Sequence, residues 1–427
     1  MKVIGLMSGT SYDAIDAAAT ELTLADGVLT LTPLGMISTP YAPGLRSALA
    51  GALPPSRTTL AEVCRLDTLI GQAFASLAVR ANDELCAGQA ELIASHGQTV
   101  YHWVSEGEAY GTLQLGQSAW IAEATGLTVV SDFRPRDLAA GGQGAPLVSL
   151  LDVLWLQGRP GTPVALNLGG IANITAFTGS SPLAFDTGPA NALLDAAVQD
   201  LTGGRLAYDA EGAFAASGQV HDPLLRQLLA EPYYRLPTPK TTGKELFHLP
   251  YLRTALADFT ALPAADVLAT LTRLTARTVA DAVRPLGATE VIASGGGTRN
   301  PTLMTALRDE LGPGAPLRTS DVLGLPSDAK EACAFALLGF LTLHGLPGNV
   351  PSCTGARGPR VLGTVTPGTR PLLPHPASAP VRRLVLGRAP NTPPAGAPGG
   401  SRGQAPASPV CPAPAPSARK SPFSSAG

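Results

Sequence analysis

KVIGLMSGTSYDAIDAAATEL, residues 2–22, decides how the rest of the chain reads. KVIGLM (2–7) is a strand pattern, AIDAAATEL (14–22) is a second, and SGTS (8–11) is a tight turn between them. VLTLTPLGMI (28–37) supplies a third strand. A Gly/Ser/Thr turn between strands points successive backbone N–H groups into one concavity, which favours an anion. Thr10 and Ser11 add hydroxyl donors. Asp13 and Asp16 would repel a bare phosphate but suit a polyphosphate with Mg2+ between, because Mg2+ is held through few carboxylates and water. An ordinary hairpin with a capped turn is the competing reading. A P-loop is excluded: G-x-x-x-x-G-K-[ST] is missing, and the residues that follow are strand-like.

Working outward, a helical pattern spans Leu60 to Leu85, with Val63, Leu66, Ile70, Phe74, Leu77 and Leu85 near one stripe. A short strand ELIAS (91–95), a helix at 117–125 and a strand LTVVS (127–131) follow. The second half opens in the same way. PVALNLGG (163–170) is a strand and turn, IANITAF (171–177) a strand, PLAFD (182–186) another. A helix from near Pro189 carries Leu193, Leu194, Ala197 and Leu201 on one side. EVIAS (290–294) and a GGG turn lead to a helix at 301–311, and PLRTS (316–320) precedes a helix at 328–343. Hairpin, third strand, helix, strand, helix thus occurs twice. The expectation is an α/β protein of two duplicated domains flanking a cleft. Residues 1–131 form the first domain, completed by about 340–370, and residues 132–339 form the second.

The 427 residues suffice for two domains and extra segments, and 45% hydrophobic residues suffice for a core. A net charge of −2 argues against nucleic acid as a partner. The five cysteines are scattered without a CxxC pair, which fits a reducing cytoplasm and no zinc or disulfide framework. The N-terminus lacks the long apolar segment of a signal peptide. ACAFALLGFLTLHGL (332–346) is too short to span a membrane and reads as a buried helix, so no membrane partner is expected. From Pro371 to Gly427 the chain is rich in Pro, Ala, Gly and Ser, with basic residues and no Asp or Glu. That composition reads as a disordered C-terminal tail; a weak contact with an anionic partner is the alternative.

Four further stretches carry chemistry. NLGGIANIT (167–175) places Gly169 and Gly170 where the first half has its anion turn, making a second jaw for a nucleotide. In AFDTGPANALLD (184–195), Asp186 ends an apolar strand, with Pro189 suited to the first helical position. Asp186 is there either a general base at a cleft or a helix N-cap. In ASGGGTRNP (293–301), Gly295, Gly296 and Gly297 let a flat base and ribose approach the backbone, without matching G-x-G-x-x-G. SHGQTVYH (95–102), SDFRPRDLAAGGQGAPL (131–147) and PKTTGKELF (239–247) read as polar, Gly-rich loops. Their Ser131, His96, Arg134, Asp137 and Gln143 suit a polyhydroxylated, anionic substrate, with Arg134 able to grip a carboxylate bidentately. A structural role for His96 stays open.

Taken together, GLMSGTS-x-D-x-x-D, ASHGQT-x-x-H, SDFR-x-x-DLAAGGQGAPL, NLGGIANIT, AFDTGPANALLD, SGGGTRNPTLM, PSDAKEACAFA and GLPGNVPSCTGA resemble the anhydro-N-acetylmuramic acid kinase family from Met1 to about Gly368. The resemblance implies an actin-like, sugar-kinase and heat-shock-chaperone ATPase fold with ATP between the domains. It implies the conversion of 1,6-anhydro-N-acetylmuramic acid, ATP and water to N-acetylmuramic acid 6-phosphate and ADP, in peptidoglycan recycling in the cytoplasm, by a homodimer. Carried over, Gly9, Thr10, Ser11, Tyr12, Asp13, Ala14, Ile15 and Asp16 match the ATP phosphate motif, with Asp13 and Asp16 toward Mg2+. Asp186 matches the catalytic base, and Arg134 and Glu331 match the sugar pocket. Ala14 stands where the family has glycine, Tyr12 where it has an aliphatic residue, and His248 where it has asparagine. The alternatives are a kinase for another amino sugar, or a sensor that binds sugar or nucleotide without turnover.

Overall fold

The computed structural model describes residues 1–9, 12–54, 56–105, 108–178, 181–243, 246–369 and 379–388. Two sheets organise them, and each grows from one of the hairpins read in the sequence. β1 (Lys2–Ser8) pairs antiparallel with β2 (Ala14–Ala25), and β2 pairs antiparallel with β3 (Val28–Pro40). Asp26 and Gly27 join β2 to β3 with φ of 50° and 73°, the left-handed pair that a tight hairpin turn demands. β4 (Leu92–Ser105) runs parallel to β1, and β6 (Thr128–Ser131) parallel to β4.

The second sheet repeats this plan. β7 (Pro163–Leu168), β8 (Ile171–Thr178) and β9 (Ser181–Pro189) form the antiparallel run. β10 (Glu290–Ser294) and β11 (Leu317–Thr319) add parallel neighbours beyond β7. The five central strands of the first, eight-stranded sheet run β6-β4-β1-β2-β3, and the five of the second run β11-β10-β7-β8-β9. Counted along the chain within each half, both read 5-4-1-2-3.

Helices Leu60–Cys86 and Ser118–Thr125 cover one face of the first sheet, burying Ile4, Leu6, Ile15, Ile70 and Phe74. Helices Ala264–Val283 and Pro301–Leu311 cover the second sheet over Val164, Leu166, Val279 and Leu307. A shared core lies on the other side, where helices Ser149–Leu156 and Lys330–Leu343 meet Val3, Leu92 and Ala94 of the first sheet and Ala165 and Ile292 of the second. Close approach needs glycine: a Cβ on Gly5 would collide with the Ala332 carbonyl, and one on Gly339 would stand 2.6 Å from Ala94 Cβ. Among the described residues no helix is long and apolar enough to cross a membrane.

Four expectations need correction. SHGQTVYH is not a loop: β4 continues to Ser105 and turns back as β5 (Glu108–Leu115). This ribbon leaves Tyr101, Trp103, Tyr110 and Leu113 exposed, so the buried-and-exposed alternation that marks a sheet strand is missing from its sequence. β9 continues to Pro189 and the next helix starts at Asn191, so Pro189 ends a strand rather than opening a helix. Most of helix Lys330–Leu343 lies in the expected second domain, 132–339, yet the helix packs on β1, β2 and β4 of the first sheet, because its apolar residues surround it on every side. Finally, the extension expected to be disordered from 371 contains a strand. β13 (Arg383–Leu386) pairs parallel with β3 at one edge of the first sheet and buries Leu384 there, while β12 (Thr364–Thr366) pairs antiparallel with β6 at the opposite edge. Residues 389–427 lie outside the described residues.

Candidate active site

The turn after β1 is held from beneath by one amide. Gln98, wholly buried, receives Ser8 Oγ–H (2.7 Å) and Tyr41 O–H (3.2 Å) at Oε1. Its Nε2 donates to the carbonyls of Gly9 (3.2 Å) and Thr99 (3.1 Å). Both hydrogens and both acceptor positions of the amide are in use, which fixes its orientation. Ser8 also shares its proton with Ala14 O at 2.8 Å.

The left-handed residue of the turn is Tyr12, at φ 43°, whose N–H donates to Gly9 O. Ala14 opens β2 opposite Pro40 and has no positive φ, so replacing the family's glycine costs no backbone strain there. Thr10 and Ser11 lie outside the described residues. Ile15 is sunk in the core, while Asp13 is exposed and Asp16 half-buried. Burial raises the Asp16 carboxyl above its ordinary value. The Ser38 hydroxyl opposes this; the charges of Asp13 and Asp328 add to it, and Arg299 opposes.

In the second half only Gly169 and Gly170 separate β7 from β8. Their carbonyls are taken up by the N–H groups of Ala190, Asn191 and Ala192, which start the following helix. Against this turn sits the glycine triplet. Gly295 has φ 87° and donates to Ser327 O. A Cβ on Gly295 or Gly297 would meet Asn167 Oδ1 or Leu168 Cβ at 2.7 Å, whereas Gly296 faces open space. The structure therefore brings Gly169–Gly170 and Gly295–Gly297 together.

Asp186 lies in β9 beside Asn173 of β8. Thr241 Oγ1–H and Thr242 N–H both donate to its Oδ2 at 2.9 Å. Its own N–H donates to Lys240 O, and Tyr233 O–H to its carbonyl. The helix N-cap is Ala190, so Asp186 is not a cap. Lys240, lowered by burial, points instead at the carbonyls of Tyr233 and Tyr234.

On the first sheet, His96 is 5% exposed and stacks on Phe335 at 4.4 Å. Arg134 Nε–H donates to His96 Nε2 at 2.9 Å, so the proton sits on Nδ1, facing Gly97 O at 3.0 Å. Burial, with the Arg134 charge, pushes His96 down to about 3; it is a neutral prop for Arg134. Arg134 Nη1 donates to Gly144 O, and its Nη2 donates to none of the described residues. Burial pulls the guanidinium below its ordinary value, and Glu331 and Asp137 pull it back. Burial raises Glu331, Arg134 opposes, and Asp16 adds to the rise. Arg134, Glu331 and Asp16 therefore share one electrostatic environment. Ser131, half-buried at the end of β6, pairs with Ser95 of β4.

Asp137 and Gln143 build the loop rather than line a site. Asp137, fully buried, accepts from Gly144 N–H, Asn349 Nδ2 and Thr354 Oγ1. Gln143 Oε1 accepts from Ala109 N–H. His248 caps the helix Leu249–Ala255 through Nδ1, a task asparagine also performs. Sequence reasoning missed Gln98, Thr241, Thr242 and Lys330. The signal existed in part: each lies inside a quoted motif, Lys330 next to Glu331 and Gln98 close to His96, whereas PKTTGKELF offered no candidate of its own. For a divalent cation, Asp16 with Asp13 offers carboxylate oxygens, yet among the described residues no three His, Cys, Asp or Glu converge on a metal-sized site. That set fits Mg2+ held mainly by phosphate oxygens and water.

Two sheets of one central strand order, with an amide-braced turn in the first and a glycine triplet in the second, define a duplicated α/β fold of the actin-like kind. Residues 1–368 match the family model described as anhydro-N-acetylmuramic acid kinase, and the chain belongs to that family. An anhydro-N-acetylmuramic acid kinase of Streptomyces avermitilis is 70% identical over 387 residues, 90% of this chain and 100% of the relative. One from Rhodococcus erythropolis is 63% identical over 380 residues, 87% of this chain and 96% of the relative. A ROK family glucokinase from Streptomyces griseus, solved with glucose and AMPPNP, is 13% identical and covers 80% of this chain and 99% of its own, with a TM-score of 0.37. The protein is thus an ATP-using amino-sugar kinase.

Proposed function

We propose that this kinase phosphorylates O6 of 1,6-anhydro-N-acetylmuramic acid while water opens the anhydro bridge, giving N-acetylmuramic acid 6-phosphate and ADP for cell-wall recycling. The observation that carries the reading is Asp186, held by Thr241 and Thr242 within β9, with the cap of the next helix at Ala190 rather than at Asp186. O6 of the substrate is an ether oxygen and has no proton for a base to remove. Asp186 instead takes a proton from water as the water oxygen bonds to C1. The C1–O6 bond breaks, O6 attacks the γ-phosphorus, and the bond to the ADP oxygen breaks. This is an inverting glycoside hydrolysis whose leaving oxygen is captured by phosphorus rather than by a carboxylic acid.

Arg134, fixed by His96, offers its Nη2 to the lactyl carboxylate, with Glu331 and Ser131 toward the sugar hydroxyls. The Gly9–Asp16 turn takes the phosphates of ATP, Gly169–Gly170 faces it, and Gly295–Gly297 takes the nucleoside. Bound through Asp16 and Asp13, Mg2+ would neutralise charge on the phosphates.

A second reading gives the proton-accepting role to Glu331, whose carboxyl burial raises above its ordinary value against the opposing charge of Arg134. Purified protein with Mg·ATP should release ADP with the anhydro-sugar and far less with N-acetylglucosamine or open-chain N-acetylmuramic acid. Activity on those alone would overturn the substrate. Asp186→Asn and Glu331→Gln assayed side by side assign the base to whichever variant loses turnover while still binding both ligands.

A further inference from the structure

Lys330 and Asp152 are buried charged residues with no part in the chemistry above, at 3% and 4% exposed. Lys330 opens the helix that lies on the first sheet, and Asp152 belongs to the buried helix Ser149–Leu156. Lys330 Nζ stands 2.6 Å from Asp152 Oδ1, an oxygen with no other hydrogen-bond donor among the described residues. The same ammonium donates to Ser294 Oγ at 3.1 Å. Ser294 is the last residue of β10, directly before the glycine triplet. Lys330 is directly before Glu331. The neighbouring residues tighten the joint: Gly295 N–H donates to Ser327 O at 2.8 Å, Thr298 Oγ1 meets Ser327 Oγ at 3.1 Å, and Arg299 pairs with Asp328.

We propose that Lys330 is a positioning residue that couples nucleotide binding at Gly295–Gly297 to the sugar side at Glu331 and Arg134. A buried ion pair resists separation, because parting it leaves an uncompensated charge in the interior. A shift of Ser294 when the triplet closes on a nucleotide reaches the ammonium through its 3.1 Å hydrogen bond, and the ion pair makes Asp152 move with it. The first turn of the helix follows, and Glu331 sits in that turn. Arg134 responds through its attraction to Glu331. The inference rests on the reading that the nucleoside lies at the triplet and the sugar at Glu331.

The experiment is calorimetric titration of the anhydro-sugar into the full chain, with and without a non-hydrolysable ATP analogue. The wild type should bind the sugar at least about fivefold more tightly with the analogue present. Ser294→Ala keeps the ion pair but cuts its link to β10; the enhancement should fall below about twofold while each ligand alone binds nearly as before. The double variant Lys330→Met/Asp152→Leu replaces both charges with apolar side chains, which preserves a buried site. It should lose the enhancement as well, with melting temperature confirming the fold. Enhancement retained in either variant overturns the proposal, and so does a wild type that binds the two ligands independently. A wild type that binds neither ligand would overturn the function instead.

Discussion

The β1–β2 and β7–β8 hairpins hold the same place in sheets of the same order, yet they do different work. The first opens into a turn from Gly9 to Asp13 whose carbonyl and hydroxyl are held by a side chain from another strand, Gln98. The second closes over two glycines whose carbonyls are spent on starting a helix, and a glycine triplet lies against it. A buried amide can brace a longer turn through its side-chain hydroxyl and carbonyl neighbours. A two-glycine turn gains room for a ligand only from the small residues around it. Duplication fixes where a ligand can sit; the residues behind each turn decide what it does there.

The largest expected effect comes from the second sheet. Asp186→Asn should lower kcat by roughly 10²- to 10⁴-fold, the usual worth of a general base, with nucleotide affinity unchanged. ADP release and nucleotide titration measure the two. Normal turnover in this variant would leave the second half a binding element only.

Acid should find the first half first. The folded pKa of His96, about 3, lies below its ordinary 6.5. Above pH 6.5 both folded and unfolded chains keep the ring neutral, and the stability is fully present. As pH falls from 6.5 toward 3, the unfolded chain gains a proton that the folded one refuses. This site alone should then remove up to about 1.4 kcal/mol of stability per pH unit. Denaturant unfolding across that range, compared with His96→Asn, isolates the slope, and identical slopes would contradict a neutral, buried His96.

Gln98→Leu should cost about 1–3 kcal/mol for the buried Tyr41 hydroxyl left without its acceptor, Ser8 keeping Ala14 O, and raise the KM for ATP. The matching probes of the second half are Gly297→Ala and Gly296→Ala. The first forces a Cβ onto Leu168 and should lower the melting temperature. The second meets open space and should weaken nucleotide binding with the melting temperature unchanged. If both behave alike, the triplet is structural throughout. Smallest of all, Ala14→Gly should change stability by less than about 1 kcal/mol, since Ala14 needs no left-handed φ.

Much of this was legible in the sequence because strand cores announce themselves by apolar runs. KVIGLM, PVALNL and EVIAS all became strands, and the repeat of their order gave the duplicated fold. Asp186 and Arg134 stood out as charges beside apolar or glycine-rich stretches, whereas Glu331 entered only through the family resemblance. What stayed hidden depends on distance in space. The outer part of the β4–β5 ribbon alternates only between exposed and half-buried residues, with aromatic side chains on its exposed face, so it lacks the apolar-in, polar-out pattern of a core strand. Helix Lys330–Leu343 is apolar all round, and periodicity cannot say which sheet it will cover. Gln98 matters through Ser8 and Gly9, and Lys330 through Asp152 and Ser294, partners far apart in the chain.

The most direct measurement is a reaction run to partial conversion with the anhydro-sugar and ATP in ¹⁸O-labelled water, read by mass spectrometry before the anomeric hydroxyl exchanges. The label should appear on C1 of N-acetylmuramic acid 6-phosphate and be missing from the phosphoryl group. Label in the phosphoryl group, or unlabelled oxygen at C1, would contradict attack by water on the anomeric carbon.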